Sequence, residues 1–360
     1  MIYEHAVRPI LFNFSPEATH SGTLRIFGSL ARVNVIGRAI ERALSLEDER
    51  LAVSVAGLQF SNPIGLGAGM DKSGIALDFF GQLGFGSLEV GSVSLDPSEG
   101  NLTFPRLLRV PQEEALLVNY GVPNDGVDTV AARLRLYRRR APLGVNLVET
   151  NTGVQSSASS VIQELQKAVI VAAPVSDYLT INLQCPNSAV GPFAKLSNLR
   201  ALLHAFEGID RLPPVFLKTA ATTEERLIDE LVGVACDFPF VSGIALSVVL
   251  RRPLIRQSGS DSPTMGSVTG GPLRALALKS LRAWYRRIDQ RRLVLIGAGG
   301  VSTGAQAYEL MQNGASLVQL VTALTYKGPA VVRKIKSELL SEMERDGVTN
   351  IQEAIGRAVV

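Results

Sequence analysis

Apolar and polar positions alternate along the chain in a repeating pattern that begins near Leu51. Short β-branched or apolar runs are followed by longer helical stretches, which is typical of repeated βα units and a parallel sheet. Eight runs have this character: Pro63–Ala68, Ser87–Ser92, Leu143–Leu147, Tyr178–Leu183, Val215–Thr219, Gly243–Ser247, Leu293–Gly297 and Leu317–Val321. Eight parallel strands predict an α/β fold of the closed (β/α)8 TIM-barrel type.

A doubly wound open sheet is the alternative architecture. It would carry a glycine fingerprint after the first strand, and Gly67-Ala-Gly-Met-Asp-Lys72 does not supply one. In a barrel, working residues sit at the C-terminal strand ends, and there this sequence places its Gly, Asn, Lys, Thr and Cys residues. The motifs are therefore expected to converge on one face.

Residues 1–45 follow a different pattern, and we predict two short amphipathic helices there, ahead of a barrel in residues 46–360. Three interpretations are open: the helices cap the bottom of the barrel, form a dimer contact, or lie on a membrane surface. The apolar positions are Val7, Ile10, Leu11 and Phe14, followed after a Ser-Pro break by Leu24, Ile26, Phe27, Leu30 and Val33.

Composition narrows the class of protein. A chain of 360 residues with 46% hydrophobic content suits one barrel with a small appendage. The 36 basic and 33 acidic residues give a net charge of +3, too balanced for an electrostatic nucleic-acid binder. Cys185 and Cys236 are the two cysteines, without zinc-site spacing, so a reducing compartment is expected. With no run of about 18 apolar residues and a polar N-terminus, we predict neither a membrane span nor secretion.

Glycines after the last two strands suggest a phosphate clamp. Strand seven ends in Gly297–Gly300, and Thr322 lies just past the tip of strand eight. Backbone N–H groups without side chains approach a phosphate closely, and barrels commonly bind phosphate in these two loops. Gly270 would add a third contact, so a phosphorylated ligand is expected.

Polar side chains at the ends of strands two to six could serve a flavin ring edge: Ser92, Asn146, Asn182, Lys218 and Ser247. Lys218 lies within Phe-Leu-Lys-Thr-Ala, which is not a surface pattern, and a buried ammonium needs an anion or a strong acceptor. Either a structural ion pair or the negative N1 edge of a reduced flavin would meet that need.

Strand four delivers Asn182-Leu-Gln-Cys-Pro-Asn187. Strand alternation directs Asn182 inward, and the proline turn then presents Cys185 and Asn187 to the barrel mouth. A thiol can be tuned to accept a proton from carbon, while amides hold a polar substrate without adding charge. Cys185 is therefore the candidate base, and Cys236 is interpreted as an inert core residue.

Five motifs resemble those of the dihydroorotate dehydrogenase family: Gly65-Leu-Gly-Ala-Gly-Met-Asp-Lys72, Glu89-Val-Gly-Ser92, Gly144-Val-Asn146-Leu, Asn182-Leu-Gln-Cys-Pro-Asn187 and Ile296-Gly-Ala-Gly-Gly300. The resemblance covers nearly the whole chain. The stretches Tyr3–Leu30 and Leu317–Pro329 are similar to the class 2 branch, which is membrane-associated and reduces quinone.

The resemblance implies FMN as cofactor, Cys185 as general base, hydride transfer to flavin N5 and quinone as electron acceptor. It also implies peripheral attachment to the cytoplasmic side of the inner membrane, with a cytoplasmic location as the alternative. Implied FMN contacts are Ala68, Gly69, Ser92, Asn146, Asn182, Lys218, Ser247, Gly270, Gly299, Gly300 and Thr322. Implied substrate positions are Lys72, Val118, Asn119, Asn182, Asn187 and Val248.

The chain departs from the class 2 pattern at several of these positions. Class 2 members carry Ser as base, whereas Cys185 and Gly121-Val-Pro-Asn124 are class 1 features. Val118 and Val248 occupy two of the four positions where asparagine holds the orotate ring, and Val321 replaces the usual Tyr beside the flavin phosphate. If the loops align one residue differently, Asn119 or Asn124 would fill a missing role.

These departures favour a small planar substrate different from dihydroorotate, with oxidation of dihydroorotate to orotate as the alternative. Two other classes remain open. One is a flavin-free or nicotinamide-using barrel of the inosinate dehydrogenase type, in which Cys185 is a nucleophile. The other is a membrane-bound flavin-binding protein without turnover.

Overall fold

A closed parallel barrel forms the body of the protein in the computed structural model, which describes residues 2–154, 156–183, 193, 195–255 and 264–359. A hairpin of β1 (Val53–Val55) and β2 (Leu58–Phe60) precedes it. All eight predicted runs are barrel strands, in the order β10-β13-β14-β3-β4-β7-β8-β9, which confirms the predicted fold. The strands are β3 (Ile64–Leu66), β4 (Ser87–Val93), β7 (Leu143–Leu147), β8 (Tyr178–Asn182), β9 (Val215–Ala220), β10 (Val241–Ser247), β13 (Val294–Ala298) and β14 (Ala315–Leu320).

Three helices at the N-terminus, rather than the predicted two, precede the barrel: α1 (Arg8–Phe12), α2 (Pro16–Ala31) and α3 (Asn34–Leu44). The Ser-Pro break starts α2, because Ser15 accepts a hydrogen bond from the N–H of Ala18 and Pro16 takes the first helical position. Within the described part of the chain, no helix has the length and apolarity that a membrane span needs.

In the described part of the chain, nine further α-helices alternate with the strands and cover the barrel. Their inward faces repeat at helical spacing; in α8, for example, Ile228, Val232 and Ala235 are buried. Cys236 ends α8 and is exposed, so the prediction that it is a core residue was wrong. These helices are α4 (Leu77–Gln82), α5 (Val127–Leu136), α6 (Ala158–Ala172), α7 (Leu196–Phe206), α8 (Glu225–Cys236), α9 (Arg274–Tyr285), α10 (Gly304–Gln312), α11 (Thr322–Lys327) and α12 (Val331–Asp346).

A four-stranded antiparallel sheet lies outside the barrel and was not predicted. It pairs β11 (Arg251–Ile255), β12 (Thr264–Gly270), β6 (Ala115–Val118) and β5 (Leu107–Val110) in that order. Its register places Val118 opposite Ser267 and Gly270 opposite Ala115. Two predicted site positions, Val118 and Gly270, are therefore carried by this sheet rather than by barrel strands.

The N-terminal helices pack at the C-terminal end of the barrel. Helix α2 contacts α4 and β5, and the ring of Phe27 stacks on Phe79 with centroids 4.7 Å apart. Gly28 permits this close approach, because a Cβ there would lie 2.6 Å from the carbonyl oxygen of Ile75. One interpretation of the sequence placed these helices at the bottom of the barrel, whereas they lie at the opposite end.

Candidate active site

One cavity of about 880 Å³ runs from the C-terminal strand ends to the N-terminal helices. Thirteen of the predicted site residues line it, which is the convergence expected of a barrel. They are Ala68, Gly69, Lys72, Ser92, Val118, Asn182, Lys218, Ser247, Val248, Gly270, Gly299, Gly300 and Thr322. We call the part bounded by Lys72, Asn182, Lys218 and Gly300 the strand end of the cavity.

Two predicted site residues lie behind this lining. Asn146 is fully buried, and Asn119 accepts a hydrogen bond from Asn101 Nδ2 through Oδ1, at 2.8 Å. Asn124 binds within the protein: its Oδ1 accepts from Ser94 N (3.1 Å) and its Nδ2 donates to Ser94 Oγ (2.8 Å). Neither Asn119 nor Asn124 lines the cavity of about 880 Å³, whereas Asn124 lines a smaller pocket that shares Lys72 and Tyr120 with it. Cys185 and Asn187 lie outside the described residues.

A buried carboxylate, that of Glu89 on β4, organises the polar groups inside the barrel. It accepts from Asn146 Nδ2 (2.8 Å), Gln319 Nε2 (2.8 Å) and Thr180 Oγ1 (3.0 Å). Burial, and then the charge of Glu89, raise the pKa of Tyr178 well above its usual value. These donors make a carboxylate tenable in an interior that would otherwise penalise it.

Asn182, at the strand end, has one of its two amide atoms hydrogen-bonded. Its Nδ2 donates to Ser92 Oγ at 3.3 Å, while its Oδ1 is buried without a hydrogen-bond partner among the described residues. Lys218 is its register partner on β9 and is half-buried beside it, with no ion-pair partner in the described ranges. An orphaned acceptor and an ammonium at one wall indicate a polar ligand.

The three glycines predicted to bind a phosphate, Gly270, Gly299 and Gly300, line the cavity together, and we call them the cradle. Gly299 and Gly300 have φ values of +124° and +71°, and Gly270, at +89°, contributes from the end of β12. A Cβ on Gly300 would lie 3.0 Å from the Cβ of Arg274. Arg274 pairs with Glu309, and its Nη1 is buried with no hydrogen-bond partner among the described residues.

This donor set fits FMN. Glycine backbone and a guanidinium beside it suit one monophosphate. The orphaned oxygen of Asn182 and the ammonium of Lys218 suit a ring with both donor and acceptor edges. Gly69 adds open space at the wall, since a Cβ there would meet nothing within 4 Å.

Lys72 is held between backbone and an aromatic ring. Its Nζ donates to the carbonyl of Gly69 at 3.0 Å and lies 4.4 Å from the ring centroid of Tyr120. Burial lowers the pKa of Lys72 to about 8, partly offset by the charge of Asp71. Asp71 fixes the loop by accepting from the N–H groups of Ile75 (2.9 Å) and Ala76 (2.7 Å).

The three valines that depart from the class 2 pattern lie on the cavity wall. Val118 and Val248 both line the cavity, and Val321 lines it as well. Both positions at which the sequence carries valine in place of asparagine therefore lie on the cavity wall. A valine side chain can neither donate nor accept a hydrogen bond there.

The other end of the cavity lies against the N-terminal helices, and we call the part bounded by Phe12, His20, Arg109 and Tyr326 the helical end. Arg109 donates through Nη1 to the carbonyl of Phe14 at 2.9 Å. Phe12 packs edge-on against Tyr326, with centroids 5.6 Å apart. Burial raises the pKa of Tyr326 to about 12, and burial followed by the nearby Lys72 lowers that of His20 to about 4. At neutral pH this end presents a neutral imidazole and a phenol.

Sequence reasoning assigned no role to several residues at the site, among them Glu89, Arg109, His20, Arg274 and Tyr326. A signal existed for Glu89, because a carboxylate inside the apolar run Ser-Leu-Glu-Val is unusual for a fully buried strand. The other four come from separate segments that only the folded chain brings together.

Comparison with known proteins agrees with the fold and the site. The family profile described as dihydroorotate dehydrogenase matches residues 50–343. Dihydroorotate dehydrogenase (quinone) of Mycobacterium sp. (strain KMS) is 32% identical over 356 residues, covering 99% of this chain and 98% of that protein. The mitochondrial dihydroorotate dehydrogenase (quinone) of Mus musculus is 35% identical, covering 95% and 86%.

A solved structure of the Eimeria tenella dihydroorotate dehydrogenase in complex with ferulenol superposes with a TM-score of 0.79 at 26% identity, covering 97% of this chain and 98% of that one. The expectation of a substrate other than dihydroorotate receives no support from these names, which favour the alternative. The chain belongs to the dihydroorotate dehydrogenase family and is, as the resemblance implied, a flavin-dependent oxidoreductase of the class acting on CH–CH groups.

Proposed function

We propose that this enzyme oxidises dihydroorotate to orotate and passes the electrons to a quinone. The observation that carries the proposal is the continuity of the cavity of about 880 Å³, which joins the polar strand end to the helical end. A substrate and an apolar acceptor could then use opposite ends of one site. The quinone-dependent names of the relatives support the same assignment.

At the strand end, the cradle of Gly270, Gly299 and Gly300 would hold the FMN phosphate. When bound, FMN supplies the hydride acceptor. The ammonium of Lys72 would bind the substrate carboxylate, because it is a cation held in place by the carbonyl of Gly69. Cys185, assigned from the sequence, would remove the proton from carbon. Mass analysis of the released cofactor tests the assignment of the cofactor, and we expect FMN rather than FAD.

At the helical end, the side chains suit a quinone. Aromatic and aliphatic groups make up most of that wall, while Arg109, His20 and Tyr326 are the polar groups that could orient two ring oxygens. Because α1 and α2 form this wall, an acceptor would enter between them. The entrance would then open where apolar side chains are exposed.

We further propose that the N-terminal helices rest on a membrane surface. Ile10 and Val35 are 62% and 79% exposed, and a soluble surface rarely gathers many such residues in one segment. Together they form the N-terminal apolar surface, composed of Ile2, Val7, Ile10, Phe14, Ile26, Phe27, Leu30, Val33, Val35 and Ile36.

The proposed reaction is tested by mixing the oxidised holoenzyme with dihydroorotate under anaerobic conditions. Dihydroorotate should bleach the flavin absorbance, and a short-chain quinone should restore it. A protein that binds no FMN, or whose flavin dihydroorotate leaves oxidised, would exclude the proposal.

The membrane contact is tested with Ile10→Glu and Val35→Glu. Both side chains are exposed, so flavin reduction and turnover with a water-soluble quinone should match the parent. Vesicle binding and turnover with a long-chain quinone embedded in vesicles should fall. If both variants bind vesicles as the parent does, this surface is not the membrane contact.

A second candidate is oxidation of a less polar ring that keeps the carboxylate. Val118 and Val248 favour it, because two wall positions can offer no hydrogen bond to the ring. In the same anaerobic assay, a cyclic carboxylate lacking ring amides would then bleach the flavin faster than dihydroorotate.

A further inference from the structure

The buried carboxylate of Glu89 sits at the start of a directed chain of hydrogen bonds. Carboxylate oxygens only accept, so Asn146 must turn its Nδ2 toward Glu89, at 2.8 Å. The other end of that amide, Oδ1, then accepts from Ser92 Oγ at 2.6 Å. The single proton of Ser92 is thereby committed to Asn146.

The chain of hydrogen bonds continues, in the same donor-to-acceptor order, to the cavity wall. Ser92 Oγ, having donated its proton, can only accept from the next group, and Asn182 Nδ2 lies 3.3 Å from it. Asn182 Oδ1 is the end that remains, and it is buried without a partner among the described residues. An isolated amide could turn either way, so the orientation of Asn182 depends on what lies behind it.

We propose that Glu89 is a positioning residue, which acts through Asn146 and Ser92 to keep the side-chain oxygen of Asn182 as the free acceptor at the cavity wall. The ligand group that satisfies such an acceptor is a ring N–H, belonging either to the flavin or to a heterocyclic substrate. This inference rests on the proposed flavin site. It adds a residue that touches neither ligand.

The chain offers a matched control. Thr180 Oγ1 also donates to Glu89, at 3.0 Å, but to the oxygen Oε2, whereas Asn146 uses Oε1. Thr180 and Asn146 are both fully buried, so Thr180→Val removes a donor to Glu89 that is as buried as Asn146. It leaves intact the chain of hydrogen bonds from Glu89 Oε1 to Asn182, which we call the relay. General damage to the barrel interior would affect Thr180→Val and Glu89→Gln alike.

The experiment measures FMN dissociation, the flavin midpoint potential and orotate affinity in Glu89→Gln, Ser92→Ala, their double variant and Thr180→Val. Loss of one ligand hydrogen bond should weaken binding roughly 5- to 30-fold in each of the first two. The double variant should match Ser92→Ala alone, since both changes interrupt one chain. Thr180→Val should stay within about twofold of the parent.

The two ligand measurements separate the sources of the N–H. Weaker FMN binding or a shifted potential without substrate assigns it to the flavin, and weaker orotate binding alone assigns it to the substrate. If Glu89→Gln does not fold, Asn146→Ala cuts the relay one step later and carries the same expectations. Equal losses of ligand affinity in Glu89→Gln and Thr180→Val would overturn the proposal. So would a double variant that binds more weakly than Ser92→Ala by the full factor that Glu89→Gln causes in the parent. A parent that binds no flavin would instead refute the proposed function.

Discussion

The guanidinium of Arg109 lies over the ring of Phe12, 4.4 Å from its centroid, and so joins the unpredicted antiparallel sheet to the first N-terminal helix. Its Nη1 also donates to the carbonyls of Phe12 (3.3 Å) and Phe14 (2.9 Å). The same guanidinium therefore fixes the end of α1 and lines the cavity. Burial lowers the pKa of Arg109, yet an arginine stays charged at any ordinary pH.

Arg109→Ala should lower turnover with quinone roughly tenfold or more, because it removes a stacked cation and two hydrogen bonds from the helical end. Flavin reduction by dihydroorotate should stay near the parent rate, since Arg109 lies away from the strand end. Stopped-flow measurement of the two half-reactions separates these effects. Arg200→Ala is the control, because Arg200 forms an exposed pair with Asp237. Equal slowing of both half-reactions would contradict a role confined to the helical end.

The barrel was predictable because each strand is a short apolar run with its own flanking turn. The run Leu143–Leu147 became β7 with the predicted bounds, whereas Pro63–Ala68 shortened to Ile64–Leu66 as the chain entered the glycine loop. The sheet of β5, β6, β11 and β12 was missed because its strands interrupt the βα rhythm. The apolar runs Leu107–Val110 and Ala115–Val118 lie on either side of a polar turn, a pattern from which a hairpin could have been predicted.

Gly300→Ala should weaken FMN binding roughly tenfold. Alanine at a φ of +71° costs about 1–2 kcal/mol, and its methyl group would press on Arg274 beside the cradle. The measurement is the FMN content after dialysis and the dissociation constant of added FMN. Gly233→Ala is the matched control, because a Cβ there meets nothing within 4 Å inside α8. A Gly300→Ala protein with parental FMN affinity would place the phosphate elsewhere.

Cys185→Ala should slow flavin reduction roughly 10²- to 10⁴-fold and retain FMN, which is the scale of a positioned base. Cys185→Ser should also be slow, because a hydroxyl is far less acidic than a thiol. Cys236→Ala should match the parent, since Cys236 is exposed at the end of α8. Single-turnover reduction under anaerobic conditions is the measurement. Parental rates in Cys185→Ala would mean that another group takes the proton.

The charge of Lys72 predicts a pH dependence of orotate binding. With a pKa lowered to about 8 by burial, Lys72 is cationic below that pH and loses its proton above it. Orotate affinity should therefore decline above about pH 8, and Lys72→Gln should bind weakly with no such decline. A Cys185→Ala background removes the thiol from the titration, and His20 is already neutral there. Affinity that stays flat from pH 7 to about pH 9.5 would exclude Lys72 as the carboxylate partner.

The same shift predicts the sign of a stability effect in the ligand-free protein. The folded pKa of Lys72 lies below its ordinary value of 10.5, so between about pH 8 and 10.5 the unfolded chain binds more protons. Stability should rise with pH across that window, because the cost of a buried charge is fully present below it and is relieved above. Thermal unfolding of Lys72→Met should show a smaller rise than the parent. An equal rise in both would assign the effect to other groups.

Positions on the cavity wall could be predicted where a motif places its own residue at a strand end, as for Asn182 and Lys218, which both line the cavity. Other features of the site were not predicted, because they depend on the direction of a hydrogen bond or on contacts between distant segments. The amide of Asn146 is oriented by Glu89, and no pattern in the sequence states which way it turns. Arg109 and Phe12 are almost a hundred positions apart, so only the packing of α1 on the sheet joins them.

The two valines in the cavity wall give the sharpest test of substrate. If dihydroorotate is bound with its polar ring edges against Val118 and Val248, two ring groups stay unpaired at about 1–3 kcal/mol each. The sum, about 2–6 kcal/mol, corresponds to roughly 30-fold up to more than 10⁴-fold in transition-state stabilisation. Asn119 and Asn124 do not line the wall beside the valines, and both already form hydrogen bonds within the protein.

Val118→Asn with Val248→Asn should therefore accelerate anaerobic flavin reduction by dihydroorotate, by a factor within that range if no other group already pairs the ring. Each single variant should give part of the gain, and flavin content is measured in each because a Cβ on Gly299 of the cradle would lie 3.6 Å from Val248 Cγ2. The control is Val154→Asn, because Val154 is exposed and does not line the cavity. Fast and complete bleaching of the parent, with no gain in the double variant, would show that dihydroorotate is the natural substrate and that other groups pair its ring. A slow parent and a fast double variant would instead show that the valines select a less polar substrate, with Lys72 still supplying the charge that holds its carboxylate.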